Sequence, residues 1–389
     1  MYIALLGRQP SLSLAELERR FGASAVTPFL PHAALVDAPS FPLEEIGGTI
    51  KAGKIVAKLT GDWRSVSMKL VKEYASAWQT SETKITLGVS AYGIDVSARE
   101  VQKTGIVLKQ KLKKHGVNLR LLPNTEAALS SATSHHNKLG LSQNKVELLV
   151  IKSGRTTIIA ESIGAQNITA IAARDQKRPK RDAFVGMLPP KLAQIIINLA
   201  VDPSLNRTPR ILDPFCGTGV LLQEAGLMGY DIYGTDLSDK MIDYSQENLA
   251  WIFARHKHTP QITLHQGDAM TTTWQQPISA IACETYLGQP FSAPPSPAKL
   301  KEVQRNCNHI IGSFLRNLHP QLANDTTLCV AVPAWRTPQG SFVRLPLAST
   351  PEKYGYSLHS FTHVDSQNLL YARDDQIVGR QLLVLRKIA

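Results

Sequence analysis

Residue types that could do chemistry gather in four short stretches of the 389-residue chain. The first is Ile211-Leu-Asp-Pro-Phe-Cys-Gly-Thr-Gly219, a strand-like run that bends through two glycines into the helical spacing of Val220–Met228. Gly217 and Gly219 lack a Cβ, so the backbone can turn sharply and come close to a ligand. A strand that opens a helix through such a bend is the setting in which a nucleotide-type ligand is seated. Asp236 ends the next strand, about 20 residues on, where a carboxylate can accept from ribose hydroxyls; a helix cap is the other reading of this residue. Asp268, in Gln266-Gly-Asp-Ala269 after a third strand, suits an adenine amino group. Asp213, Phe215, Thr218, Leu237 and Ala269 complete the expected cofactor-contacting set. A nicotinamide fingerprint would read G-x-G-x-x-G, whereas this loop reads Gly217-Thr-Gly-Val-Leu-Leu222. The last stretch, Cys283-Glu-Thr-Tyr-Leu-Gly288, closes the fourth strand with a carboxylate, Glu284, and an aromatic ring, Tyr286.

These stretches need a frame that brings strand ends together. After residue 186 strands and helices alternate: Arg210–Asp213, Val220–Met228, Asp231–Thr235, Lys240–Phe253, Ile262–His265, Ile278–Cys283, Leu300–Leu318, Thr327–Val332. That rhythm predicts an α/β domain, a doubly wound and mainly parallel sheet over 186–389, whose ligands sit beyond the strand C-termini. Residues 1–45 read as a small α/β domain, with a helix from Ser13 to Phe21 opened by a Ser13/Glu16 capping box. Residues 46–170 mix short strands and helices and read as a compact α+β module. Residues 171–185, with Arg174-Asp-Gln-Lys-Arg-Pro-Lys-Arg181, read as a basic linker, because six of those eight residues are charged and cannot supply a core.

The formal charge of +12 is uneven. Residues 1–165 hold 21 Lys and Arg against 13 Asp and Glu, and residues 166–389 hold 22 against 18. A basic front suits a polyanion, because each neutralised phosphate releases counterions. Lys109 and Lys113 on the Ala98–His115 helix, Arg120, Asn124, and Lys177, Arg178, Lys180 and Arg181 of the linker are the expected nucleic-acid contacts. Arg373 and Arg380, before the terminal strand, could grip phosphate as planar forks, or belong to a hairpin that closes the sheet. The four cysteines, Cys216, Cys283, Cys307 and Cys329, form no CxxC pair, and His135-His136 lacks a third ligand, so no metal is expected. No apolar run is long enough to span a membrane, and Met1–Pro10 lacks the pattern of a secretory signal. A cytoplasmic protein is the expectation.

Asp-Pro-Phe before the glycines resembles the cofactor loop of amino-group methyltransferases. Asp182-Ala-Phe-Val-Gly-Met-Leu-Pro-Pro-Lys-Leu-Ala193 with Asn198-Leu-Ala200, the loop Asp213–Gly219 and Gly229-Tyr-Asp-Ile-Tyr-Gly-Thr-Asp236 resemble THUMP-containing tRNA guanine-N2 methyltransferases of the archaeal and eukaryotic guanosine-10 type. Gly116–Asn124 and Ser130–Leu139 resemble part of a THUMP domain. The resemblance spans roughly residues 45–290. It implies a Rossmann-like domain that binds S-adenosylmethionine, a THUMP-type RNA-binding region over 46–170, tRNA as substrate, a target base taken out of its stack, and, for some relatives, a small activating subunit.

One departure stands out. Such enzymes usually carry D/N-P-P-Y/F after the fourth strand: the acid or amide and a proline carbonyl accept the hydrogens of an exocyclic amino group, and the aromatic ring stacks on the base. Here the proline pair is missing. Either Glu284 and Tyr286 form an adapted site, or the chain holds tRNA without methylating it. Adenine N6 of RNA or DNA is an alternative target. Cys283 admits a cytosine-C5 nucleophile, although Ala282 precedes it where that chemistry commonly has proline.

Overall fold

Apolar residues at alternate positions build two sheets, and apolar stripes with helical spacing cover them. The computed structural model describes residues 1–182, 188–203, 209–256 and 259–388. Two compact units divide the chain: Met1–Pro10, Ser24–Glu44 and Thr49–Ile168 form the first, and Ser11–Ala23, Glu45–Gly48 and Thr169–Ala389 the second.

The first unit is a mixed eight-stranded sheet of β1 (Tyr2–Leu6), β2 (Val26–Leu30), β3 (Ala33–Val36), β4 (Thr49–Leu59), β5 (Ile85–Tyr92), β6 (Leu119–Leu121), β7 (Lys145–Ser153) and β8 (Thr156–Ala165). Their spatial order is β2-β3-β1-β4-β8-β7-β5-β6. Strands from residues 1–45 therefore share one sheet with the rest of this unit. The first helix, α1 (Pro10–Phe21), is grouped with the second unit. The expected small domain over 1–45 is thus divided between the two units. On the first unit's sheet lie α2 (Trp63–Trp78) and α3 (Ala98–Lys114), followed by the short α4 (Ser131–His136). Val66, Leu70 and Tyr74 of α2 and Val101, Leu108 and Leu112 of α3 meet Leu87, Val89 and Leu148 in one apolar cluster. Ser97 and Glu100 cap α3 reciprocally, satisfying two otherwise free N–H groups.

In the second unit, α5 (Ile168–Gln176), α6 (Pro190–Ala200), α7 (Val220–Leu227), α8 (Asp239–Phe253) and α9 (Pro297–Leu318) accompany β9 (Arg210–Asp213), β10 (Asp231–Asp236), β11 (Ile262–Gln266), β12 (Ala280–Glu284), β13 (Thr327–Arg336), β14 (Phe342–Arg344), β15 (Tyr356–Leu358), β16 (Leu370–Tyr371) and β17 (Val378–Lys387). The sheet runs β11-β10-β9-β12-β13-β17-β15, with β14 on β13 and β16 on β17. β9 to β13 pair in parallel, and β17 and β15 are antiparallel. The chain leaves β11 at one edge and returns beside β9 as β12, so strand order switches between β9 and β12. Open sheets of this kind hold ligands at such a point. One face packs residues of α6, α7 and α8 with Leu12 and Ala15 of α1; the other packs Val303, Ile311 and Phe314 of α9.

The expected linker begins inside α5, where Arg174 forks both oxygens of the buried Glu224 at 2.6 and 3.0 Å; its residues 183–185 lie outside the described residues. The Ser13/Glu16 capping box is also corrected. α1 starts at Pro10, a residue preorganised for a first helical position. Ser13 and Glu16 are therefore interior: Ser13 Oγ donates to Gly48 O at 2.8 Å, and Glu16 accepts from Gly47 N–H at 2.9 Å, Gly48 N–H at 2.7 Å and Asn198 Nδ2 at 2.8 Å. Burial outweighs these donors and raises Glu16 from 4.5 to about 7. The unfolded chain then releases this proton first, so Glu16 makes stability fall as pH rises from 4.5 towards 7. We expect Glu16→Gln to flatten that part of a plot of urea midpoint against pH; parallel plots for the two proteins would remove Glu16 as the cause.

Candidate active site

Residue parity collects the charges. Ile211, Ile232, Ala282 and Leu382 face the same apolar layer, and side chains two apart on a strand share a face. Asp213 of β9, Asp236 of β10, Glu284 of β12 and Arg380 of β17 continue those four series. All three carboxylates lie at the C-terminal ends of parallel strands, two of which, β9 and β12, flank the switch point.

The loop after β9 is held tightly. Asp213 Oδ1 accepts from Phe215 N–H at 3.1 Å. Gly217 and Gly219 have φ of +51° and +79°, in the left-handed region that side chains disfavour. A Cβ on Gly219 would also stand 2.9 Å from Ser245 Oγ. From α8, Ser245 Oγ donates to Gly217 O at 2.8 Å and Asn248 Nδ2 to Thr218 O at 2.8 Å. Phe215 meets Phe314 edge-on, and Thr218 is buried. Asp236 accepts from Gly217 N–H at 2.9 Å through Oδ2 and from Ser238 N–H at 2.9 Å through Oδ1. The cap reading of Asp236 is not met: Ser238 is the N-cap of α8 and no side chain caps that helix, so Asp236 instead braces its own turn and ties down the glycine bend. Each oxygen keeps a lone pair for a hydroxyl donor.

At the rim, Leu237 leaves 68% of its surface exposed, an apolar side chain that a flat ring can cover. Asp268 Oδ1 accepts from Met270 N–H at 2.9 Å. Ala269 is buried and its carbonyl accepts from Asn317 Nδ2 at 3.1 Å. Burial first, then the charges of Asp236 and Glu284, push Asp213 well above the usual carboxylate range. Such a cluster of acids favours a cationic ligand.

At the end of β12, Arg380 Nε donates to Glu284 Oε1. Both side chains are largely buried. Thr285 occupies the place of the first proline in D/N-P-P-Y/F. Its N–H and its hydroxyl both donate to Ala331 O on β13, at 3.0 and 2.9 Å. Proline could make neither bond, which explains its exclusion here. Tyr286 is 41% exposed and comes two residues after the acid instead of three. Cys283 is fully buried and its thiol is pushed well up, so it offers no ready thiolate for C5 chemistry.

The expected RNA contacts divide. Lys109, Lys113, Arg120, Lys177, Arg181 and Arg373 are exposed. Lys180 is half-buried, paired with Glu247 at 3.2 Å and set over the Tyr244 ring. Three assignments are corrected. Asn124 turns inward, its Nδ2 donating to Val89 O at 2.9 Å. Arg178 is 3% exposed, its guanidinium nitrogens without hydrogen-bond partners among the described residues. Arg380 is committed to Glu284 rather than to phosphate. The Arg380–Glu284 pair went unread from sequence, although a signal existed: Gly379–Leu385 is buried throughout, and a charge inside such a strand demands a partner.

With this geometry in hand, kinship is informative. Residues 178–340 match the UPF0020 family model, described as an RMKL-like methyltransferase domain. That segment is thus similar to a methyltransferase domain. The chain is 33% identical over 161 residues to the tRNA (guanine(10)-N2)-dimethyltransferase of Methanothermobacter thermautotrophicus, covering 41% of this chain and 42% of that one. It is 24% identical over 221 residues to the protein of the same name from Methanocaldococcus jannaschii, covering 55% and 59%. The chain thus spans less than two thirds of the length of these relatives. Among solved structures, TrmN from Thermus thermophilus matches 100% of this chain and 99% of its own, with a TM-score of 0.53 at 17% identity. A possible methylase from Clostridium difficile 630 does so with a TM-score of 0.50 at 11% identity, over 100% and 98%. At these identities the likeness speaks for the fold: a mixed N-terminal sheet followed by a Rossmann-like methyltransferase sheet.

Restoring the proline should harm this strand end. Thr285→Pro is expected to lower stability by about 1–3 kcal/mol, through the two lost hydrogen bonds and the orphaned Ala331 carbonyl. A urea midpoint equal to that of the unmodified protein would show that these bonds do not exclude proline.

Proposed function

We propose that the chain transfers a methyl group from S-adenosylmethionine to the exocyclic N2 of a guanosine in tRNA, of the position-10 type, with the base flipped out of its stack. The observation that carries this reading is the carboxylate Glu284, set at the switch point in one series with Asp213 and Asp236 and the glycine bend. The curated relatives at 33% and 24% identity support the substrate class.

The described residues fit the donor. When bound, S-adenosylmethionine supplies the methyl group from a sulfonium. Asp236 accepts from its ribose hydroxyls, Leu237 covers the adenine, and Asp268 takes the adenine amino group. Asp213 and its neighbouring carboxylates attract the positive charge and hold the neutral thioether product less strongly. On the substrate side, Glu284 accepts a hydrogen of the guanine amino group. This counters delocalisation of the nitrogen lone pair into the ring and gives the departing proton a destination. Tyr286, exposed beside it, stacks on the base. In the N-terminal module, proposed as THUMP-like, Lys109, Lys113 and Arg120 contact phosphate; Lys177, Arg181 and Arg373 do so around the catalytic domain.

Thr285 in place of the proline pair favours a second reading, a protein that binds donor and tRNA without transfer. Incubation with total tRNA and labelled S-adenosylmethionine, followed by nucleoside analysis, separates the two. N2-methylguanosine is expected. N6-methyladenosine would move the target, and donor binding without transfer would leave a tRNA-holding protein. Turnover that appears only after cell extract is added would reveal a small activating subunit. Glu284→Ala should abolish transfer and leave donor affinity near that of the unmodified protein; normal turnover would remove Glu284 from the chemistry. Asp236→Ala should weaken donor binding by about tenfold or more, for the loss of charge-assisted hydrogen bonds, and unchanged affinity would discard the ribose assignment.

A further inference from the structure

We infer that Arg380 is the positioning residue of the transfer reaction: it holds one oxygen of Glu284 so that the other faces the substrate amino group. The inference rests on the function proposed above.

Strand register puts the pair together. Glu284 lies beside Ala331 on β13, and Ala331 lies opposite Leu382 on β17. Arg380, two residues from Leu382, shares its face and stands opposite Pro333 on one side and Tyr371 on the other. Two strand spacings across and two residues along separate the backbones of Glu284 and Arg380 by roughly 12 Å. Their extended side chains bridge that span over β13.

The contact runs through Nε and Oε1. By comparison, Arg174 holds Glu224 as a fork on both oxygens. A single-point grip fixes the carboxylate and leaves Oε2 for a second donor. Arg380 is itself anchored by its hairpin. Arg336 Nε donates to Gln376 O at 3.0 Å, its Nη2 to Arg373 O at 2.8 Å, and its N–H to Ile377 O at 2.7 Å, which ties down the turn that delivers β17. Gly379 leaves no slack, for a Cβ there would lie 3.0 Å from Phe342 and 3.2 Å from Tyr371 O. Arg380 is only 5% exposed. A buried cation at this place suits orientation of a neighbour, and a phosphate on the RNA surface would not reach it readily.

The test uses the full-length chain with tRNA and S-adenosylmethionine. Arg380→Gln is expected to lower kcat about a hundredfold, the scale on which a displaced catalytic group costs rate. KM for tRNA and the dissociation constant of S-adenosylmethionine should stay within about threefold, because neither contact is removed. Glu284→Gln combined with Arg380→Gln should be no slower than Glu284→Gln alone, since the two residues act as a unit. An increase in KM for tRNA with kcat intact would make Arg380 a substrate contact and overturn the inference; additive losses in the double variant would do the same. Should Arg380→Gln fail to fold, Arg380→Lys keeps a buried cation but moves its donor: about a tenfold loss of kcat supports positioning by geometry, and full kcat overturns it. An unmodified protein that makes a different methylated nucleoside refutes the guanine reading alone, and Arg380 is then judged on kcat for that product. No transfer to any nucleoside refutes both.

Discussion

Three carboxylates share one face at the ends of neighbouring parallel strands, and the sheet sets Arg380 directly against one of them, Glu284. Buried charge without a counter-charge is costly, and the surrounding structure is arranged around that cost. Asp236 distributes its charge over two backbone N–H groups. Glu284 takes Arg380. Asp213, with one backbone donor, is driven towards its neutral form. The site is therefore incompletely neutralised. On the proposed reading this is what gives it affinity for a sulfonium, and the residual repulsion is relieved only with that donor in place.

Much of the fold could be read from local pattern. Alternating strands and helices after residue 186 announced the parallel sheet, because each element carries its own periodicity. The glycine loop and the two aspartates that follow were readable for the same reason: a bend, a strand end and a short spacing are local facts. What escaped was non-local. α1 looked like part of a small opening domain, yet Glu16 gathers Gly47, Gly48 and Asn198, partners that no spacing rule connects to it. Its serine and acid had the spacing of a capping box, but Pro10 had already started the helix one turn earlier.

Charged residues show the same division more sharply. Lys109 and Lys113 lie on the solvent face of α3, as an amphipathic helix requires. Arg178 and Arg380 looked equivalent to them in composition and are buried. For Arg380, burial follows from β17 being covered on both faces, so the side chain must find its partner within the sheet. Sign and count of charges therefore described the surface of the protein but not the two arginines inside it.

The missing proline pair acquires a structural meaning from these contacts. In a D/N-P-P-Y/F segment the prolines stiffen the chain after the fourth strand through their fixed φ. Here the same segment is tied by the N–H and hydroxyl of Thr285 to Ala331 O, which carries the β12–β13 pairing one residue past the acid. Glu284 is then clamped from two sides, through its backbone by β13 and through its carboxylate by β17. Stiffness from ring geometry has been replaced by stiffness from cross-strand bonding. A glutamate one carbon longer than aspartate has an additional torsion to restrain, and a fixed guanidinium restrains it. On the proposed reading, the acid and the threonine depart from the usual motif together, and Arg380 on β17 supplies the restraint that the longer acid needs.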